Sequence, residues 1–267
     1  MPASRYRHLA RLAVALTLLL LGCQAGPAGA ASLRVVTWNI HHARGLDDRV
    51  DVARIAAELE ALDADFVLLQ EVDVGVRRSG GVDIPAELAA ALGMHAAFEK
   101  NIPYQGGEYG NAILSRWPIT SRANRRYQML RRDEQRGLLT VTVHSPHGAL
   151  AIGCTHIDSR TDDAERMKNV PEILETVAQR ELFAVGGDFN DLPDSRVHRA
   201  LSEALIDCWR EAGAGTDGGS YPAAAPIKRI DWLLRAPRSG WRASSARVVP
   251  TDASDHRAVL FELQRRR

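Results

Sequence analysis

The sequence predicts an α/β protein with mixed sheets. Short apolar runs of strand length recur along the chain, and segments of helical period separate several of them. A turn signal at Ser145-Pro146-His147-Gly148 joins two of the runs as a hairpin, so antiparallel pairs accompany the parallel ones that intervening helices allow.

The elements follow in order. Leu33 to Trp38 reads as the first strand. Val52, Ile55, Ala56, Leu59 and Leu62 recur at helical spacing and place an amphipathic helix over 50–62. Phe66-Val67-Leu68-Leu69 is a short apolar run suited to a buried strand. Residues 85–92 are rich in alanine and leucine, with Pro85 suited to a first helical turn and Gly93 to a stop. Strands are expected at 109–115 and 137–144, and the hairpin partner at 149–155. Residues 161–180 carry a helical pattern that Pro171 should kink or divide. Leu182 to Val185 is another buried strand, and two more lie near 230–235 and 257–263. No long linker and no repeat interrupts this run, so residues 31–267 are expected to form one domain.

Of 267 residues, 45% are hydrophobic and 25% charged, which excludes collagen-like, disordered and coiled-coil classes. Three cysteines are too few for a disulfide scaffold in a chain of this length. The formal charge of +1 owes its sign to Arg5, Arg7 and Arg11; the rest carries 31 basic against 33 acidic residues. A near-neutral domain argues against a protein whose main task is electrostatic grip on nucleic acid.

Those three arginines precede an apolar run, Leu12 to Leu21, about half the roughly 20 residues a membrane-spanning helix needs. A basic start followed by a short apolar stretch is the pattern of a secretory signal over residues 1–30. Leu20-Leu21-Gly22-Cys23 resembles a bacterial lipoprotein box, in which Cys23 is lipidated, and Ala28-Gly29-Ala30 offers an alternative cleavage site. Export is therefore expected, either to the cell envelope as a lipoprotein anchored through Cys23 or as a periplasmic or secreted protein. Cys154 and Cys208 are expected to be buried free thiols.

Several apolar strands end in residues a pure core would not choose. The endings are Asn39-Ile40-His41-His42, Gln70-Glu71, Thr155-His156-Ile157-Asp158 and Gly186-Gly187-Asp188-Phe189-Asn190-Asp191, with Ser254-Asp255-His256 before the last strand. Ligand sites in α/β sheets gather where strands end, so five such clusters suggest one composite site. Each alone has a plainer reading, as a surface acid, a histidine bonded to a carbonyl, or a turn. Together they fit metal-assisted phosphate hydrolysis. Carboxylates, an amide oxygen and water are hard ligands suited to Mg²⁺, with Mn²⁺ as a substitute, and Glu71 with Asp255 or Asp188 would suffice. Histidines then act as acid, base or phosphate donor.

The ordered motifs Thr37-Trp38-Asn39-Ile40, Leu69-Gln70-Glu71-Val72, Gly110-Asn111-Ala112-Ile113-Leu114-Ser115-Arg116, Thr155-His156-Ile157-Asp158, Gly187-Asp188-Phe189-Asn190, Arg229-Ile230-Asp231-Trp232 and Ser254-Asp255-His256 span residues 33–264. In that order they resemble the endonuclease/exonuclease/phosphatase superfamily, which includes DNase I-like nucleases, inositol polyphosphate 5-phosphatases and neutral sphingomyelinases. The resemblance implies a four-layered α/β sandwich, two mixed sheets face to face with helices outside. It implies that Asn39 orders the metal site and the attacking water, that Glu71 is the principal Mg²⁺ ligand, and that Asp255 is a further metal- or histidine-coupled acid. It further implies that Asp188 positions or deprotonates the water, that Asn190 holds a phosphate oxygen, and that His156 donates to the phosphate or leaving oxygen. His256 matches the second histidine, Asp231 the carboxylate orienting it, and Asn111 borders the site and touches substrate phosphate.

His41 and His42 are expected beside the site, not in it. The arginine-dense stretch from Arg116 to Arg136 reads as a solvated face or as a groove lining, and Glu134-Gln135-Arg136-Gly137 as an ion pair near the site. The Asp-x-His and Gly-Asn-His signatures of calcineurin-like phosphatases do not occur, nor do the clustered histidines of zinc hydrolases. The expected function is a monomeric, exported Mg²⁺-dependent phosphohydrolase that cleaves a phosphodiester in nucleic acid, phospholipid or a small phosphoester. A phosphomonoesterase with the same core, and an inactive surface binding protein, are the alternatives.

Overall fold

Side-chain alternation along the strands decides the layers. In β1 (Ser32–Asn39), Leu33 and Val35 point to one face, and Val36 and Trp38 to the other. In β2 (Phe66–Val74), Phe66 and Leu68 share the first face, and Val67 and Leu69 the second. A strand with both faces buried needs a partner layer on each side. The computed structural model, which describes residues 31–215 and 218–266, supplies both.

One sheet has six strands in the order β11-β12-β1-β2-β4-β3, with β3 at His95–Tyr104, β4 at Gly107–Ser115, β11 at Trp241–Val249 and β12 at Ala258–Arg265. The other, also of six strands, has the order β5-β6-β7-β8-β10-β9: β5 Ile119–Arg126, β6 Gly137–Ser145, β7 Gly148–His156, β8 Ala184–Asp188, β9 Ile206–Asp207 and β10 Asp231–Arg235. Both sheets are mixed: β1 runs parallel to β2 and antiparallel to β12, while β7 runs parallel to β8 and antiparallel to β6. Between the sheets, Leu33, Val35, Phe66 and Leu68 meet Leu139, Val141, Ile152 and Leu233 in one core. Burying each such side chain stabilises by roughly 1.5–3 kcal/mol, so this core holds the sheets together. Helices α1 (Val52–Leu62) and α2 (Ile84–Leu92) cover the outer face of the first sheet. Helices α3 (Ala164–Gln179) and α4 (Arg196–Ser202) cover that of the second, and the short α5 (Cys208–Glu211) follows β9. This is the four-layered sandwich that the resemblance implies.

The predicted elements are present with small shifts. Asp51 and Asp83 cap α1 and α2 through bonds from Arg54 N and Ala86 N, and Gly93 ends α2 in the left-handed region. The 182–185 strand lies later, at Ala184–Asp188, and α3 passes through Pro171 undivided. The strands without a sequence signal are β3, β5, β9 and β11, which are the four sheet edges. Edge strands carry polar and charged side chains that discourage pairing between molecules, so their alternation fades: β5 reads ITSRANRR and β11 WRASSARVV. Cys154 and Cys208 are buried and free, as expected. The signal, the lipoprotein box with Cys23, the Ala28–Ala30 cleavage site and Arg267 lie outside the described residues.

Gly187 shows how tightly the second sheet is drawn at the end that matters. Its φ is 150°, and a Cβ there would lie 1.8 Å from the Thr155 carbonyl oxygen on β7. Any side chain would force β8 from β7, directly beside Asp188. We expect Gly187→Ala to destabilise the protein by at least about 2 kcal/mol, read from its urea midpoint; a change under about 0.5 kcal/mol would contradict this packing.

Candidate functional site

The period-two alternation that builds the inter-sheet core also builds the site. Along β1 the inward positions run Leu33, Val35, Thr37, Asn39; along β7, Ile152, Cys154, His156; along β8, Ala184, Gly186, Asp188. In each strand the apolar column turns polar at its last step. Register brings these steps level: His156 pairs with Asp188, Asp188 with Asp231 at the start of antiparallel β10, and Asn39 with Gln70. Polar ends from both sheets therefore converge at one end of the sandwich.

Glu71 arrives there by a different device. The β2–β4 register shifts between Leu69 and Val72, and Glu71 takes φ 57°, a left-handed value uncommon for a residue with a side chain. Such a bulge re-aims a side chain that simple alternation would send under α1 and α2. The loop before β12 supplies the rest. Ser254 Oγ donates to the Asn39 carbonyl (2.7 Å), and Trp38 Nε1 donates to the His256 carbonyl (2.9 Å), which fixes the loop against β1.

Asp188 lies at the centre, 1% exposed. Its Oδ2 accepts from Asn39 Nδ2 (3.1 Å), and its Oδ1 from the Asn190 amide (2.9 Å). His156 Nε2 is 3.5 Å and His256 Nε2 3.6 Å from the same Oδ2. Asp231 Oδ2 meets His256 Nδ1 at 2.9 Å, the geometry that orients an imidazole through its far nitrogen. Asn190 Nδ2 reaches His156 Nε2 (3.0 Å) and the Ile157 carbonyl (3.1 Å). Asn39 Nδ2 also donates to Glu71 Oε1 (3.0 Å), while its Oδ1 accepts from the His41 amide (3.1 Å). With both ends engaged, Asn39 orients Glu71 and Asp188 here.

Burial and charge separate the acid strengths of these groups. Burial raises the Asp188 carboxyl to about 7; the His256 cation and the donated hydrogen bonds oppose that rise and the Asp231 charge adds to it. Burial alone would lower His256, but the carboxylates of Asp231 and Asp188 outweigh it and hold the imidazolium up to about 10. His156 goes the other way, well below the ordinary imidazole value, through burial and the cations of Arg136 and His256. At neutral pH one histidine is charged and the other neutral.

Asp188, Asn190, His156 and His256 face a cleft of about 580 Å³ that Glu71, Tyr109, Asp191, Tyr221, Lys228 and Asp255 also line, with Asn39 and Asp231 behind them. Asp191 belongs to the strand-end cluster the sequence singles out, whereas Lys228 carries no such signal. Tyr221 packs on the His256 ring with centroids 4.7 Å apart. Arg136 and Glu134 pair at 2.9 Å on the cleft wall. Other arginines of that stretch pair elsewhere, Arg116 with Asp63 and Asp65, Arg125 with Glu172 and Glu175, Arg131 with Asp162. Asn111 sits outside the cleft lining: it is buried, and its Nδ2 donates to the Gly137 carbonyl across the sheets (3.2 Å). Glu71 and Asp255 are both half-buried and open on the cleft, so their oxygens fit a hard divalent ion. Asp188, Asp231 and His256 also bring donor atoms within 4.8 Å of one another, but hydrogen bonds among them and to Asn39 and Asn190 already engage that set.

A face-to-face pair of mixed sheets with acids, amides and histidines at one end defines a class of metal-dependent phosphohydrolases. Residues 36–256 match the Endonuclease/Exonuclease/phosphatase family, and the chain belongs to it. It is 28% identical over 250 residues to the uncharacterized protein YbhP of Escherichia coli strain K12, covering 87% of this chain and 96% of that one. A crystal structure of an endonuclease/exonuclease/phosphatase from Beutenbergia cavernae superposes with a TM-score of 0.71 at 27% identity, over 88% of this chain and 72% of the other. The human Nocturnin catalytic domain with bound sulfate shares the fold, with a TM-score of 0.70 at 19% identity over 88% and 95% of the two chains.

His256 also links pH to stability. Its folded value lies above the ordinary 6.5, so its contribution is fully present below 6.5 and is lost as pH rises through about 10. Asp231→Asn should therefore cost about 3 kcal/mol of unfolding free energy at pH 6 and clearly less at pH 10. Denaturant titrations at the two pH values check this, and an equal loss at both would contradict the ion pair.

Proposed function

We propose that the protein hydrolyses phosphodiesters by direct attack of water, with Asp188 as the general base. The observation that carries this reading is the Asp188 carboxylate lying 3.5 and 3.6 Å from the Nε2 atoms of His156 and His256, only the second of which is backed by Asp231. A base whose strength lies near working pH takes a proton from water most effectively. Asn39 and Asn190 hold its oxygens so that Oδ2 faces the cleft. The His256 imidazolium, oriented by Asp231, donates to a phosphoryl oxygen as charge accumulates there, and Asn190 and neutral His156 contact a second. Glu71 and Asp255 would hold the divalent ion, Mg²⁺ with Mn²⁺ as a substitute, which when bound would supply Lewis acidity to the reaction.

Charge in the cleft favours a diester. Glu71, Glu134, Asp188, Asp191 and Asp255 face it against Lys228, the His256 imidazolium and Arg136, itself paired with Glu134. A singly charged diester meets less repulsion there than a doubly charged monoester. Nucleic acid, phospholipid and small phosphoesters all present that group. The reading extends to location: the basic, apolar start of the chain supports export, with a lipid on Cys23 anchoring a monomer to the envelope.

The protein should turn over bis(p-nitrophenyl) phosphate faster than p-nitrophenyl phosphate. EDTA should abolish the reaction, and Asp188→Asn should lower kcat by about 10²–10⁴-fold. Monoester turnover alone would transfer the assignment to a phosphomonoesterase, and Mg²⁺ binding without turnover of either ester, plasmid DNA or sphingomyelin would leave a binding protein.

A further inference from the structure

The loop after β1 carries a second set of donors beside Glu71. His41, His42 and Ala43 have φ values of 45°, 46° and 63°, although none is glycine. Each such residue costs on the order of 1 kcal/mol or more, so the surrounding structure must enforce the shape. It does: Ala43 is buried under the first sheet, its carbonyl accepts from the Asp51 amide (2.9 Å), and the His41 amide is held by Asn39 Oδ1. The turn brings both imidazoles to Glu71. One nitrogen from each ring and one Glu71 carboxylate oxygen lie within 4.8 Å of one another, with ring centroids 4.6 Å apart at 77°.

His42 is 5% exposed, and its Nδ1 is buried with no hydrogen-bond partner among the described residues. Leaving a buried ring nitrogen unpaired costs about 1–3 kcal/mol. The charged groups around it are committed elsewhere. Arg78 donates to both oxygens of Asp73 (2.9 Å each), and Ser79 Oγ donates to Asp73 as well. His41 Nδ1 faces Asp255 Oδ1 at 3.6 Å, which brings a fourth donor to the edge of the group.

We propose that His41, His42 and Glu71 form an imidazole-bearing metal position that selects a borderline transition ion, Co²⁺ or Zn²⁺, over Mg²⁺. Two nitrogens and a carboxylate oxygen within 4.8 Å of one another would close to roughly 3.0–3.5 Å apart to share an ion at bonds of about 2.0–2.2 Å, a movement that side-chain rotation supplies. Imidazole suits first-row transition ions, whereas Mg²⁺ is served by oxygen and water. Glu71 has two carboxylate oxygens, so it can serve this position and the cleft position together. The inference does not depend on which phosphate ester is cleaved.

The test is Co²⁺ binding to the metal-free full chain in excess Mg²⁺, followed by visible absorption. The expected result is a saturable ligand-field band that Mg²⁺ does not displace, with Co²⁺ affinity reduced at least about tenfold in both His41→Ala and His42→Ala. The His41 side chain is 27% exposed, so His41→Ala keeps the test decisive if truncating buried His42 costs the fold. Loss of the band on adding Mg²⁺ to the wild type, or wild-type affinity in the folded His41→Ala protein, would overturn the proposal.

Discussion

A carboxylate held out of water between two sheets is the constraint on which the rest of the molecule depends. Asp188 reaches its place because β8 carries glycine at the two preceding positions, which lets that strand lie close to β7 and to Leu68 of the facing sheet. Its charge is tolerated because Asn39 comes from one sheet, and Asn190, His156 and Asp231 from the other side of the sandwich. A buried carboxylate that lost these partners would cost several kcal/mol. Packing of the sheets is thus a precondition of the chemistry, and the site end cannot relax without separating groups that share one oxygen.

The same burial differentiates otherwise similar side chains. Two histidines approach Asp188 Oδ2 at nearly equal distance, but Asp231 stands behind only one. The carboxylates hold the proton affinity of one ring up while burial pulls that of the other down, so the same side chain sits in two opposed environments. Glu71 and Asp255 belong to a wetter zone, whose carboxylate oxygens are open to the cleft. The cleft therefore has a dry side around Asp188 and a more open side around Glu71, and Asn39 donates to both carboxylates.

Much of this was legible in the sequence, because interior strands with both faces buried are apolar and their polar last residues stand out. Asn39, His156 and Asp188 each end such a run, and the structure brings them together with Glu71, Asn190, Asp231 and His256. The edge strands were silent because an exposed edge is selected to look polar. Glu71 was visible as a residue but not in its mode of arrival, since a bulge leaves no mark on composition. Lys228 gave no signal, because its place depends on how the loop between α5 and β10 folds back onto His256. Asn111 comes from the family resemblance alone as a residue bordering the site, and in the structure its side-chain amide joins the two sheets through the Gly137 carbonyl. Pro171 was read as a breaker, but packing of α3 against the second sheet outweighs one missing hydrogen bond.

A double-mutant cycle across the sheets tests this account most directly, with kcat/KM on a phosphodiester measured for Asn39→Ala, Asp188→Asn and the pair. If both residues act through one network centred on Asp188, the double variant will be little slower than Asp188→Asn alone. Losses that simply multiply would show that the two sheets contribute independently, and would contradict the central role given to the shared carboxylate.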